Sequence, residues 1–250
     1  MTSREPILLS VVVPVYNEEK KIVETVRRIS AFLSLKKVPC ELIVVNDGST
    51  DHTSRVAESL PPPPPNVFFK FIGSDTNHGK GFACRHGMLE ARGQYLLLTD
   101  ADLSAPIKEV DKLIRALEKG AQVAIGSRAI REKGCDVRQS MKRRISGRIF
   151  NFFVQLLVLP GVLDSQCGFK CFTQDAAQKL FRAQKLDGFS FDVEVLYLAR
   201  RFGYQIAEVP VMWSQGTDSR VSFLRDSTRM LKDLFTIKKI HNQSIQPALP

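Results

Sequence analysis

Five runs of β-branched and aliphatic residues recur in the first half of the chain, each followed by a polar turn and most by an amphipathic stretch. They are ILLSVVVPVY (7–16), ELIVVND (41–47), VFFKFIG (67–73), QYLLLTD (94–100) and AQVAIGSR (121–128). A strand buried on both faces reads as a continuous apolar run rather than an alternation. The intervening segments carry helical stripes, such as Ile22, Val23, Val26, Ile29 and Leu33. Strand, helix, strand, helix predicts βαβ units around a mostly parallel sheet flanked by helices. Ligands of such sheets bind beyond the carboxyl ends of the strands. Within this frame Asn17 is expected to cap the first helix, with Glu18 and Glu19 in its first turn. Pro106 is expected to open the helix after the fourth strand. The PPPPP run (61–65) is a stiff surface connector, not a domain boundary.

After residue 130 the pattern changes. RQSMKRRISGRIFNFFVQLLVL (138–159) reads as an amphipathic helix with Ile145, Ile149, Phe152, Phe153, Leu156 and Leu157 on one stripe and five basic residues near its start. A short strand, GFKCFT, follows, then helices within 175–183 and 191–203, a strand over 205–213 and a basic helix over 219–240. The chain reads as one domain over 1–241: a nucleotide-sugar half (7–128), an acceptor half (129–222) and a C-terminal helix (223–241). Residues 242–250 are expected to form a disordered tail.

The net charge of +10 implies an anionic partner: nucleic acid, a membrane surface or a phosphorylated substrate. The five cysteines suit reduced thiols in a cytosolic setting, because a chain of 250 residues needs no staples. Cys167 and Cys171 make a weak metal pair, with no second pair and no histidine at ligand spacing. The longest apolar segment, 149–163, is interrupted by Asn151, Gln155 and Pro160. A spanning helix needs about 20 apolar residues, so any membrane contact is expected to be peripheral.

The stretch LLLTDADLS (96–104) brings Asp100 and Asp102 to the end of the fourth strand. Side chains two apart on an extended segment face the same way. Two adjacent carboxylates repel, and a hard divalent cation between them relieves the repulsion; Mg²⁺ or Mn²⁺ also shares its sphere readily with substrate phosphates. A bare D-x-D equally suits a helix cap followed by a solvated loop residue.

Eight stretches in order then carry a resemblance: VVVPVYNEE (11–19), ELIVVNDGSTDHT (41–53), NHGKGFACRHGM (77–88), LLLTDADLSAP (96–106), VAIGSR (123–128), DSQCGFKCF (164–172), FDVEVLYLA (191–199) and VPVMW…DSRVS (209–222). The chain resembles the inverting GT-A glycosyltransferases of family 2, most of all the polyprenyl-phosphate (dolichyl-phosphate) β-glucosyltransferases. The resemblance implies a Rossmann-like GT-A fold and a donor site of Pro14, Tyr16, Glu18, Asp47, Gly79, Lys80, Asp100 and Ala101. Asp47 would accept a hydrogen bond from the base, and Lys80, between two glycines, would approach the diphosphate. Asp100 and Asp102 would hold Mg²⁺ or Mn²⁺ and, with Arg128 and Arg220, form the catalytic set. Arg128, Arg143, Arg144, Asp164, Gln166 and Glu194 would line the acceptor site.

The implied reaction moves a sugar, glucose from UDP-glucose first, to a polyprenyl phosphate with inversion. A phosphate oxygen is already anionic and needs no general base. The enzyme would sit peripherally on the cytoplasmic face of a membrane, in the endoplasmic reticulum or the plasma membrane. GDP-mannose is the alternative donor. A sugar nucleotidyltransferase is a second alternative, opposed by PVYNEE where a Gly-rich triphosphate loop belongs. A nucleic-acid-binding protein is a third, opposed by acids at the strand ends; no nucleic acid partner is expected.

Overall fold

The computed structural model describes residues 5–138, 140–214 and 223–242. Arg220 and residues 243–250 of the expected tail lie outside the described residues, as do the side chains of Arg143 and Arg144. In chain order the elements begin β1 (Leu9–Val15), α1 (Ile22–Ser34), β2 (Cys40–Asp47), α2 (Thr53–Glu58), β3 (Val67–Ser74), α3 (Lys80–Glu90), β4 (Tyr95–Leu98), α4 (Val110–Glu118) and β5 (Val123–Ser127). They continue with β6 (Val137–Arg138), α5 (Met141–Leu157), β7 (Lys170–Thr173), α6 (Gln174–Ala183), α7 (Phe191–Arg201), β8 (Ile206–Pro210), β9 (Trp213–Ser214) and α8 (Phe223–Asn242).

The apolar runs form one seven-stranded sheet of order β3-β2-β1-β4-β7-β5-β8. Its pairings are parallel except at β7, which runs antiparallel to both β4 and β5. Alternate residues serve opposite faces. Val11, Val13 and Val15 of β1 join Ile22, Val26, Ile29 and Leu33 of α1 and Leu113 of α4 in one buried cluster. Val12 joins Ala83 and Met88 of α3, Leu180 of α6, Leu196 of α7 and Leu234 of α8 in the other. Each fully buried Val, Leu or Ile contributes roughly 1.5–3 kcal/mol. Both faces are therefore covered, as the unbroken apolar runs require.

Several local expectations change. Asn17 does not cap α1, which starts five residues later; at φ 53 it occupies the left-handed region. Its Oδ1 accepts instead from Thr50 N (2.6 Å) and Asp51 N (3.2 Å), tying the loop after β1 to the loop after β2. β4 stops at Leu98, and the chain turns through Asp100–Leu103, with Leu103 N donating to Asp100 O at 3.1 Å. The Asp100–Asp102 segment is thus a turn, not the extended strand end on which their shared facing was predicated. Pro106 precedes a 3-10 turn over Ile107–Glu109 that leads into α4. α5 begins at Met141 rather than 138, because Val137 and Arg138 pair with β9. α8 runs through residue 242, the first residue assigned to the tail.

The α5 stripe looks outward. Ile145, Ile149, Phe152, Phe153 and Leu156 are exposed, Phe152 to 61%, whereas Val154 is buried. Leu157 departs from the stripe and packs against the core. Met141, Leu163 and Phe235 of α8 are exposed as well. Among the described residues no helix is long and apolar enough to cross a membrane.

Candidate active site

The loops after β1 and β2 are stitched together. Asn17 N donates to Ser49 Oγ and Glu18 N to Thr53 Oγ1, both at 2.8 Å. At this rim Pro14 is half-buried in β1 and Tyr16 is exposed just beyond it. Asp47, the last residue of β2, is buried and receives three hydrogen bonds: Asn77 Nδ2 at 2.8 Å, His78 N at 2.9 Å and Gly79 N at 2.8 Å. Its carboxylate anchors the 77–79 turn. A carboxylate has about four lone-pair sites, so little acceptor capacity remains for a nucleobase.

Gly79 and Gly81 permit a close approach, but of protein rather than ligand. A Cβ at Gly79 would meet Asp187 O at 2.4 Å, and one at Gly81 would meet Leu186 O at 2.5 Å. Gly79 also sits at φ +111, where L side chains are strained. The Asp187 carbonyl accepts from Gly81 N (2.7 Å) and Phe82 N (3.2 Å), so the second and third amides of α3 already have a partner.

Lys80, the first residue of α3, reaches back across the sheet end. Its Nζ donates to Asp100 Oδ1 at 2.6 Å. Burial opposes its charge, but the Asp100 and Asp192 carboxylates outweigh that and hold the ammonium protonated well above the ordinary lysine range. Asp100 is also supported from beneath: a Cβ on Gly168 would fall 2.0 Å from Asp100 Oδ2. Asp102 is exposed, and accepts from Ser104 N (2.9 Å) and Ser104 Oγ (2.8 Å). Ala101, expected in the donor site, is buried, and its carbonyl accepts from Thr25 Oγ1 at 2.5 Å.

At the end of β5, Arg128 forms a fork with Asp164: Nε to Oδ2 and Nη2 to Oδ1, both at 2.8 Å, with the Arg128 N–H also on Oδ2 at 2.8 Å. The guanidinium lies 5.2 Å from the Trp213 ring centre. Burial disfavours the Asp164 charge, but Arg128 outweighs it and holds the carboxyl below its ordinary value. Glu208 fixes this loop from behind, accepting from Leu163 N (2.6 Å) and Asp164 N (3.1 Å). Asn151 of α5 donates to Leu163 O at 2.8 Å, which connects the exposed helix to the Asp164 loop. Gln166, half-buried, approaches Met230 of α8 with Nε2 4.0 Å from the sulfur.

Glu194 does not line an acceptor site. It is fully buried, and its oxygens accept from Lys185 N (2.8 Å) and Leu186 N (2.9 Å) and lie 2.6 Å from His241 Nε2. It clamps the 185–186 loop and the end of α8 to α7.

A buried pair was missed by sequence reasoning. Lys170 Nζ donates to Asp192 Oδ1 and to Cys167 O, each at 2.6 Å. The pair lies behind Lys80, which feels the Asp192 charge. The signal was present: a lysine between cysteine and phenylalanine in an apolar strand needs a buried counter-charge. Burial pushes the Cys167 thiol up to about 11 and the Cys171 thiol up to about 12, and all five cysteines are unpaired.

Among the described residues no cluster of three or more His, Cys, Asp or Glu could hold a metal by itself. Asp100 and Asp102 supply two hard carboxylates at the rim of the sheet. That donor set fits a divalent ion whose remaining ligands come from substrate phosphates and water. A cavity of about 410 Å³ lies elsewhere, lined by Ile7, Gln94 and Tyr95 at the amino ends of the strands, and takes no part.

Known proteins resemble this chain in sequence and in fold. The signature described as "Glycosyl transferase family 2" matches residues 10–181. The dolichyl-phosphate β-glucosyltransferase of Dictyostelium discoideum is 34% identical over 242 residues, covering 93% of this chain and 74% of that protein. The Drosophila melanogaster enzyme of the same name is 38% identical over 240 residues, covering 92% and 74%. Among solved structures, glucosyl-3-phosphoglycerate synthase from Mycobacterium tuberculosis, in complex with Mn²⁺, UDP-glucose and phosphoglyceric acid, superposes with a TM-score of 0.68. At 20% identity it covers 97% of this chain and 82% of that one, a likeness of fold.

Proposed function

The chain belongs to glycosyl transferase family 2, and from that premise we propose that it transfers glucose from UDP-glucose to dolichyl phosphate with inversion. The observation that carries the reading is the setting of Asp100. It stands at the carboxyl end of a central strand, between the Lys80 ammonium and the backbone of Gly168. The names of its relatives favour glucose over mannose as the sugar. The family leaves no ground for a nucleotidyltransferase.

In this reading the Tyr16 rim and the loop ordered by Asp47 receive the nucleoside. Asp100 and Asp102 would hold a divalent ion, Mg²⁺ or Mn²⁺. When bound, that ion would neutralise charge on the departing diphosphate. Lys80 adds a cation on the same side. Arg128, presented by Asp164 and flanked by Trp213, faces the phosphate of the acceptor. From the sequence alone, Arg143 and Arg144 are assigned to the acceptor phosphate and Arg220 to the donor diphosphate; Gln166 is assigned to the acceptor side. The acceptor phosphate oxygen forms the new bond to C1 as the bond from C1 to the diphosphate breaks, from opposite faces, so an α-linked donor gives a β-linked product. Neither step needs a general base, since the nucleophile is anionic. Positioning and charge stabilisation carry the rate.

The lipid acceptor requires contact with a membrane. The outward stripe of α5, joined by Leu163 and Phe235, is suited to lying peripherally in the headgroup plane, and the sequence of that helix also carries the basic residues Lys142, Arg143, Arg144 and Arg148. Each such basic residue contributes on the order of 1 kcal/mol near an anionic surface. Five unpaired cysteines favour a reducing, cytoplasmic side.

The test pairs purified protein with dolichyl phosphate and radiolabelled UDP-glucose or GDP-mannose. Label should enter the organic phase from UDP-glucose, and Asp102→Asn should lower it at least about 10²-fold while the fold is kept. Transfer from GDP-mannose alone, or near-normal turnover by the variant, overturns the reading.

A further inference from the structure

The carboxylate proposed to hold a divalent ion is also the hydrogen-bonded partner of a protein ammonium. Lys80 Nζ lies 2.6 Å from Asp100 Oδ1. Two cations cannot both sit close to one carboxylate without repelling each other. Among the described residues, two other basic groups of the site are locked. Arg128 makes three hydrogen bonds to Asp164, and Lys170, only 1% exposed, is held by Asp192 and the Cys167 carbonyl. Lys80 makes a single described bond, at the end of a flexible stem with a side chain 25% exposed. Of these three described groups, it is the one that can change partners.

We propose that Lys80 and the metal compete for Asp100, and that passage of Lys80 from Asp100 to the donor's diphosphate makes metal and nucleotide bind cooperatively. This rests on the metal reading above and adds to it. A metal ion arriving alone must separate Lys80 from Asp100 and leave an ammonium beside a second cation. A nucleoside diphosphate arriving alone meets the negative charges of Asp100 and Asp102. Arriving together, they exchange partners: Asp100 turns to the metal and Lys80 to a phosphate oxygen. Asp192, already paired with Lys170, stays behind Lys80 and keeps the ammonium from being stranded in either position. The coupling is reciprocal by linkage, so nucleotide tightens metal binding by the same factor that metal tightens nucleotide.

Mn²⁺ binding, measured from the free-ion electron paramagnetic resonance signal with and without UDP, reads this without turnover. In the wild type, saturating UDP should tighten Mn²⁺ at least roughly tenfold. In Lys80→Met, Mn²⁺ without UDP should bind roughly threefold to tenfold tighter than to wild type, and the coupling to UDP should shrink. Lys80→Gln should behave like Lys80→Met and serves if the latter does not fold; Lys80→Arg, keeping the charge, should retain most of the coupling. If the wild type takes up no Mn²⁺ even with UDP, the metal reading fails and this inference with it. If the wild type binds Mn²⁺ with UDP but the neutral variants bind Mn²⁺ alone no tighter than wild type, the competition is refuted and the metal reading stands.

Discussion

Gly168 and Asp100, 68 positions apart in the sequence, are in contact: a methyl group placed on Gly168 would lie 2.0 Å from Asp100 Oδ2. Gly168 is not in the left-handed region, so its lack of a side chain serves the carboxylate rather than the backbone. Gly168→Ala should therefore leave the fold in place but push Asp100 off its position. Displacements of about 1 Å cost on the order of 10²-fold in rate. Steady-state kinetics should give a loss of that size in kcat/KM, with a thermal midpoint close to wild type; unaltered kinetics would show that Asp100 need not stand where it does.

The Arg128–Asp164 fork makes a prediction about pH. Asp164 is held below its ordinary value of 3.8 by Arg128. A carboxyl depressed in the folded state contributes stability that is fully present above the unfolded value and is lost as pH falls through the lower, folded value. Denaturant titrations from pH 6 downward should show wild-type stability falling below about pH 4. Asp164→Asn should be less stable than wild type at pH 6, with the difference narrowing in acid. A constant difference across that range would mean the charge is not what stabilises the pair.

Glu194 separates a structural from a functional role. It is fully buried, with bonds to two backbone amides and a contact with His241. Removing it orphans all three partners, at about 1–3 kcal/mol for each unsatisfied group. Glu194→Ala should lose several kcal/mol in chemical denaturation, while the KM for the lipid acceptor, measured where the variant is folded, stays near wild type. A raised acceptor KM in a fully stable variant would restore Glu194 to the acceptor site.

The α5 face makes the fourth prediction. Phe152 and Leu156 are 61% and 66% exposed, so substituting them leaves the core untouched. Phe152→Glu with Leu156→Glu should change stability by no more than about 0.5 kcal/mol for each. Flotation with anionic vesicles should recover much less of this variant than of wild type. Turnover should fall with acceptor embedded in those vesicles and persist with a short-chain acceptor in detergent. Equal vesicle recovery would remove the membrane role of this helix.

The strands and their order of appearance were legible because doubly buried strands must be apolar throughout, as β1 and β2 are. What escaped the sequence depended on contacts between distant segments. Asn17 has the chemistry of a cap, but the loop it binds lies some thirty residues on, and only the paired strands bring the two together. Asp47, Gly79 and Glu194 carried family-like positions, yet their partners, the 77–79 turn and the 185–187 loop, are visible only once the start of α3 meets the loop before α7. The α5 stripe was legible as a stripe but not as a face, since periodicity does not say which side meets the protein. Lys170 and Asp192 lay unremarked within stretches that were otherwise read.

β7 has one further consequence. Among the described residues it is the one antiparallel member of the sheet, and it separates β4, which leads to Asp100, from β5, which leads to Arg128. The strands that lead to Asp100 and to Arg128 therefore do not pair with each other; each is gauged against the same short ruler, Lys170–Thr173. A ribosome that has released only the first 128 residues has made both strands but not the spacer between them. The spacing between the ends of those two strands is set late in synthesis, by four residues.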